Sequence, residues 1–276
     1  MYLNQIAVFV MVNCILALSC YLPLTVGRLF ICYGAVMSIG GVVAAEAAYF
    51  VPMPLALLCG GVAGLLYAGL VGLICWRLEE FLFAVVTLAI GELTKVLVMN
   101  SAAMGGPLGF KNVSAILVSP SYPLVFLSSF VVVLIYFEKS LMRKAFHFIK
   151  YSEVTAASLG IPVEKYRLLA ISAGGFLAGV AGGLYIHTVG IIEPRMFGFE
   201  SSIQILMFSL LGGYGYFLGP LVGAIILTIT PETLRFSTSF RLVFYGLVLL
   251  LSTRLWPDGW FSKRFSISKM RELRGS

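Results

Sequence analysis

Long apolar runs alternate with short polar breaks along this chain, and the length of the runs decides what they are. A helix needs about 20 apolar residues to cross the hydrocarbon core of a bilayer. Runs of that order lie at 6–24, 29–51, 54–76, 81–98, 122–137, 168–189 and 242–255. A further apolar stretch, 203–230, is interrupted by Gly212, Gly213, Gly215, Gly219 and Pro220. It is too long for one helix and short for two, so it reads either as two tilted helices or as a re-entrant pair. The pattern predicts an all-α, polytopic membrane helix bundle with about 8–9 transmembrane helices and a broken or re-entrant glycine-rich segment near 203–230. Residues 1–255 then form a single transmembrane domain and 256–276 a basic tail. The first run has no Lys or Arg ahead of it and no small-x-small site behind it, which favours a retained helix over a cleaved signal.

Composition narrows the class. Apolar side chains make up 60% of the 276 residues and charged ones only 11%, against roughly 25% charged in a soluble domain. That is too little polar surface for a soluble enzyme, a disordered chain or a nucleic-acid binder. The net charge of +7 is gathered in two places. One is 138–167, with Lys139, Arg143, Lys144, Lys150, Lys165 and Arg167; the other is the tail, with Arg254, Lys263, Arg264, Lys269, Arg271 and Arg274. The positive-inside rule puts both in the cytoplasm. Counting back over the runs puts the N-terminus outside and the C-terminus inside. Arg28 and Arg77 then also fall inside, Lys111, Arg195, Arg235 and Arg241 outside, and Lys95 within a span.

Catalytic signals are nearly absent. His147 and His187 are far apart in sequence and neither sits in a metal-ligand spacing, so no metal site and no cofactor is expected. The five cysteines, Cys14, Cys20, Cys32, Cys59 and Cys75, lie in apolar runs without C-x-x-C spacing and read as small buried side chains. No phosphate-binding G-x-x-x-x-G-K-[ST] loop occurs, so any ATP hydrolysis belongs to another chain. The sharper signal is Glu92 and Lys95, three apart in one run and hence on one helix face. Charges at membrane depth cost at least a few kcal/mol each and mark functional positions by default. The pair reads either as the polar lining of a substrate path or as an ion pair that orients its helix. Glu46, near the outer end of its run, reads as interfacial.

Glycine carries the remaining pattern. Gly175, Gly179 and Gly183 are consecutive small-x-x-x-small steps, and Gly60 and Gly64 form another. Such steps let helix backbones approach closely, whether inside one bundle or between subunits. The segments 61–67 (GVAGLLY) and 179–185 (GVAGGLY) differ at one position, either as the trace of an internal repeat or by chance in apolar sequence. In the 138–167 loop, Ser152 is placed to cap a short helix over 153–160, with Gly160 as its stop and Pro162 beyond. A compact helix held between two spans suits a lever for a cytoplasmic partner, or else a surface linker.

That loop supplies a resemblance. Residues 153–161 (EVTAASLGI) followed by 166–170 (YRLLA) resemble the cytoplasmic loop of ABC importer permeases, most closely those of the branched-chain amino acid family of LivM and LivH type. Further stretches match in order: 86–92 (VTLAIGE), 105–109 (GGPLG), 176–185 (FLAGVAGGLY), 201–203 (SSI), 211–224 (LGGYGYFLGPLVGA) and 231–232 (PE). Val154 and Thr155 stand where that family carries more alanine, and Lys95 where an arginine is common. The resemblance implies a permease subunit of an ATP-driven importer for branched-chain or related amino acids, working by alternating access in a bacterial plasma (inner) membrane. Its partners would be a second permease subunit, two cytosolic ATP-binding subunits, an extracytoplasmic solute-binding protein and a small-molecule substrate. Glu153, Ala156, Ala157, Gly160 and Ile161 would form the ATPase-coupling segment. Glu92, Lys95, Gly212, Gly213, Gly215, Gly219 and Pro220 are the expected path lining, and Gly175, Gly179 and Gly183 the packing positions. The alternatives are an ion-gradient-driven secondary transporter with Glu92 as its ion site, a membrane scaffold, and an ABC permease for urea or short amides.

Overall fold

The computed structural model describes residues 2–101, 121–190, 198–233, Gly246 and Leu250. Among the described residues all regular structure is helical, in the order α1 (Tyr2–Thr25), α2 (Tyr33–Ala47), α3 (Met53–Ile74), α4 (Glu80–Asn100), α5 (Ser121–Lys139), α6 (Leu141–Tyr151), α7 (Glu153–Ser158), α8 (Val163–Val189), α9 (Phe199–Gly212) and α10 (Leu218–Thr233). Five of them, α1, α3, α4, α5 and α8, are long and apolar enough to cross a membrane, while α2, α9 and α10 are shorter apolar helices. The expected 105–109 loop and 256–276 tail lie outside the described residues, as do Lys111, Arg195, Arg235, Arg241 and all of the 242–255 run except Gly246 and Leu250.

The 29–51 run departs from expectation: it is not one spanning helix. Helix α2 has 15 residues, about 22 Å at 1.5 Å per residue. Gly27 takes the left-handed region at φ 80, a conformation that costs a side-chain-bearing residue about 1–2 kcal/mol. The Pro23 carbonyl receives the N–H of Val26 (3.1 Å) and of Arg28 (3.0 Å), closing α1 in a turn. Residues 28–32 then run without helix. Their backbone is satisfied from elsewhere: Ile31 N–H donates to Thr87 Oγ1 at 3.2 Å and Gly34 N–H to Ser202 Oγ at 3.0 Å. Irregular backbone in a membrane is tolerated only where protein or a water-lined cavity satisfies it. Hydropathy counts apolar side chains and is blind to that requirement.

The core gathers on α8, which crosses α1, α2 and α3. Glycine makes the crossing close. A Cβ on Gly179 would stand 2.4 Å from the Gly60 carbonyl oxygen, one on Gly40 2.3 Å from Gly179 Cα, and one on Gly175 2.5 Å from the Gly64 oxygen. Gly183 stands against Leu57 and Ala44. Backbones of three helices therefore touch without side chains between them. The other side of α3 presents Leu55, Leu58, Val62, Leu66 and Leu70 outward, the apolar face a helix turns to lipid. Cys59 lies exposed on that face, which corrects its expected burial: in a membrane the outer face is as apolar as the core.

The 203–230 stretch folds as α9 and α10, an antiparallel hairpin. Gly219 approaches Gly212, and Gly223 approaches Phe208, so closely that any Cβ would overlap a backbone oxygen. Gly213, at φ 82, turns the chain between them.

Candidate functional site

The loop after α5 forms the first half of the site. Ser152 Oγ accepts the Thr155 N–H at 3.2 Å, the N-terminal cap that starts α7. Gly160 stops it at φ 77 with nothing within 4 Å of where a Cβ would stand. Ala156 is fully buried and belongs to a cluster with Val26, Phe146, Ile149, Val163 and Ala170. Around that anchor the helix is bare: Val154 is 78% and Leu159 64% exposed, Ala157 and Gly160 are exposed, and Ile161 is half-buried. Glu153 holds Arg167 with both oxygens, at 2.9 and 2.8 Å, and Arg167 also reaches Glu164 at 3.5 Å. The Arg167 guanidinium draws the Glu153 carboxyl below the ordinary carboxylate range. Arg167 lies in the first turns of α8, so α7 is tied directly to the central helix.

Other charges gather at the same end. Buried Arg28 donates from Nη1 to the Leu78 carbonyl at 2.7 Å and stacks on Phe83 at 5.1 Å. Burial lowers its pKa from the usual guanidinium value. Glu138, at the foot of α5, accepts from Arg143 Nε at 3.1 Å and from the Tyr21 hydroxyl. The turn of the α9–α10 hairpin also arrives here. Arg143 Nη2 donates to the Gly215 carbonyl at 3.0 Å, and Lys150 Nζ stands 3.6 Å from the centre of the Tyr214 ring.

The second half of the site lies along α4. Glu92 and Lys95 form an ion pair at 2.5 Å. The other Glu92 oxygen, Oε1, accepts the N–H of Phe199, the first residue of α9. A carboxylate is favoured there, because the helix dipole places positive charge at the N-terminus. Gly198 admits the arrangement, since a Cβ would stand 2.7 Å from Lys95 Nζ and 2.8 Å from Glu92 Oε1. The structure thus brings Glu92 and Lys95 together, but not with the glycine breaks. Gly212, Gly213, Gly215, Gly219 and Pro220 lie at or beyond the far end of α9, which is 14 residues long, or about 21 Å.

Four hydroxyl residues outside the expected site set join these parts; Thr87, Ser202 and Tyr67 lie within the stretches 86–92, 201–203 and 61–67, and Thr94 outside them. Thr87 and Ser202 satisfy the unwound start of α2. Tyr67 OH meets Thr94 Oγ1 at 2.5 Å and Cys32 Sγ at 3.7 Å. For Tyr67, Thr87 and Thr94 the residue-level signal is a hydroxyl in an apolar run, whereas Ser202 stands beside Ser201 and near Glu200 and Gln204. Among the described residues no group of three or more His, Cys, Asp or Glu is placed to hold a metal ion.

Comparison with known proteins places this architecture. A family profile described as branched-chain amino acid transport system / permease component matches residues 2–253. The high-affinity branched-chain amino acid transport system permease protein LivM of Escherichia coli is 26% identical over 238 residues, covering 73% of this chain and 56% of the relative. A probable ABC transporter permease of Sinorhizobium fredii is 28% identical over 229 residues, covering 78% and 68%. A probable branched-chain amino acid permease LivH of Methanocaldococcus jannaschii is 35% identical over 102 residues, covering 35% and 31%. The chain thus spans little more than half the length of the LivM relatives. No solved structure matches. One profile runs over nearly all of a chain whose long helices are of membrane-crossing length, and the protein belongs to the family of branched-chain amino acid transport permease components.

Proposed function

We propose that the chain is the membrane-spanning subunit of an ATP-driven importer that moves branched-chain or related amino acids by alternating access. Its working partners are a second permease, two cytosolic ATP-binding subunits and an extracytoplasmic solute-binding protein. The observation that carries this reading is α7. It is a short capped helix with one buried anchor, Ala156, a bare apolar surface at Val154, Ala157 and Leu159, and an ion pair from Glu153 to the central helix. An ATPase groove that closes on α7 pushes α8 with it. Each nucleotide state then favours one bundle arrangement, because a ligand shifts an equilibrium only by its differential affinity for the two states.

Glu92 and Lys95 are the lining candidates for the path, with Thr87, Thr94 and Tyr67 around the unwound start of α2. In the ion-gradient alternative Glu92 would bind the driving ion. Its carboxylate already serves Lys95 and the α9 N-terminus, which favours the ATP-driven reading. The test is uptake in proteoliposomes holding both permeases and the ATPase subunits, with binding protein and leucine, isoleucine or valine outside. ATP on the cytoplasmic side is expected to drive uptake. Uptake by this chain on a proton or sodium gradient, without ATPase subunits, overturns the reading.

A further inference from the structure

The contacts of the α9–α10 hairpin differ in kind from those of the glycine-packed core. Helices α2, α3 and α8 meet backbone to backbone. The hairpin meets its neighbours through side chains: Phe208, Ala224 and Leu227 pack on Cys14 and Ala17 of α1, and polar ties are added by Phe199 N–H on Glu92 of α4, Gly34 N–H on Ser202, and Ser209 Oγ donating to the Ala17 carbonyl at 2.8 Å. On α10, Thr228 Oγ1 accepts from Asn13 Nδ2 at 3.0 Å. Its turn is gripped by α6, through Arg143 on the Gly215 carbonyl and Lys150 on the Tyr214 ring. Helix α6 runs directly into α7, with Ser152 ending the one and capping the other.

We infer that α6 carries the stroke of α7 to the α9–α10 hairpin, with Lys150 and Arg143 as positioning residues that hold the hairpin turn. Helix α9 then transmits the displacement along its length to the Glu92–Lys95 pair. The inference rests on reading the chain as an ATP-driven permease. It adds a second route from the lever, separate from the Glu153–Arg167 tie to α8. The chemistry suits the task. A lysine on an aromatic face and a guanidinium on a carbonyl keep their attraction as the partners slide by fractions of an ångström, whereas touching glycine backbones do not. Arg143 is itself steadied by Glu138, so its grip on the turn is braced against α5.

The test uses the assembled complex with its ATPase subunits in proteoliposomes, measuring uptake and ATP hydrolysis together. Wild-type uptake on ATP establishes the parent reading first; its absence overturns that reading and the inference with it, whereas wild-type uptake with unaltered variants overturns the inference alone. With it in place, Lys150→Gln and Tyr214→Leu are each expected to lower uptake per ATP by about threefold to tenfold, the range a cation–π contact supports. The double variant should do no more than either single one. Lys150→Arg and Tyr214→Phe, which keep the cation and the ring, should retain the wild-type ratio. An unchanged ratio in Lys150→Gln and Tyr214→Leu overturns the inference. So does failure of both to assemble, since the contact is then needed for folding rather than for transmission.

Discussion

Gly179→Ala isolates the central crossing. The added Cβ would stand 2.4 Å from the Gly60 oxygen and 3.1 Å from both Gly60 C and Gly61 Cα, where ordinary contact starts at 3.4 Å. The shortfall, 3.4 less 2.4, is about 1 Å. All three obstructing atoms are backbone, so no rotamer relieves them and the helices must part. Overpacking of this kind costs about 1–3 kcal/mol, and alanine recovers about 1 kcal/mol in helix propensity. Because Gly40 lies against the Gly179 Cα, a third helix moves too, and the upper half of the range applies. The net loss is about 1–2 kcal/mol, or roughly 2–8 °C in Tm for a chain of this size. Gly69→Ala on α3 is the control. Its Cβ meets the Ser172 hydroxyl, a side-chain end that turns aside, so the propensity gain leaves stability unchanged or raised by up to about 1 kcal/mol. Thermal unfolding in detergent, followed by tryptophan fluorescence, separates the two. A Gly179→Ala midpoint at or above wild type refutes the reasoning. A variant that loses only subunit association moves the glycine stripe to a subunit interface.

Three further outcomes are expected. Ser152→Ala removes the α7 cap, worth about 1 kcal/mol locally; uptake per ATP should fall while the Tm of the bundle stays within error. Glu92→Gln keeps an acceptor for the Phe199 N–H but loses the charge that pairs with Lys95, so uptake should fall in a protein that still purifies as a complex; unchanged uptake removes Glu92 from the path. Burial, with Arg143 nearby, pulls the Lys150 amine down from 10.5 to about 8, against a weaker opposing pull from Glu80. Its folded pKa lies below its unfolded one, so between about 8 and about 10.5 the unfolded chain holds the extra proton and stability from this group rises with pH. Over the same window the cation leaves the Tyr214 ring. Uptake per ATP should therefore fall as pH rises through about 8 without a matching loss of Tm, and Lys150→Arg should flatten the profile.

What the sequence discloses follows the range of the physics. Ser152 and Gly160 act on neighbours a few residues away, so cap and stop are legible from local rules. Five helices of spanning length are legible because the bilayer sets their length and satisfies none of their backbone. The Glu92–Lys95 contact follows from helical spacing, yet its third member, the Phe199 N–H, lies 107 residues away. The break before α2 is hidden for the same reason. It needs a hydroxyl 56 residues downstream and another 168 away, and an apolar count cannot anticipate either. The glycine turn reads as a break from its composition, while its place at the α6 end depends on Arg143 and Lys150 meeting it across the fold.

These contacts divide the bundle into parts with different stiffness. Dispersion between touching backbones falls steeply with separation, so a crossing like Gly60 on Gly179 has one good arrangement. Helix α9 is held by apolar side chains, Ile205 and Phe208, and by hydrogen bonds at Ser202, Ser209 and Glu92 that water or another hydroxyl can replace. A machine that alternates between two states needs the divide between its bodies to fall on exchangeable contacts, since packed cores switch rather than stretch. On the proposed reading the divide would run along α9, and the α6–α7 unit is attached on both sides of it. Glu153 ties it to the stiff side through Arg167, and Lys150 ties it to the other through Tyr214. On that reading, a load applied at Val154 and Leu159 would reach α8 through the Glu153–Arg167 tie and the α9–α10 turn through Lys150 and Arg143.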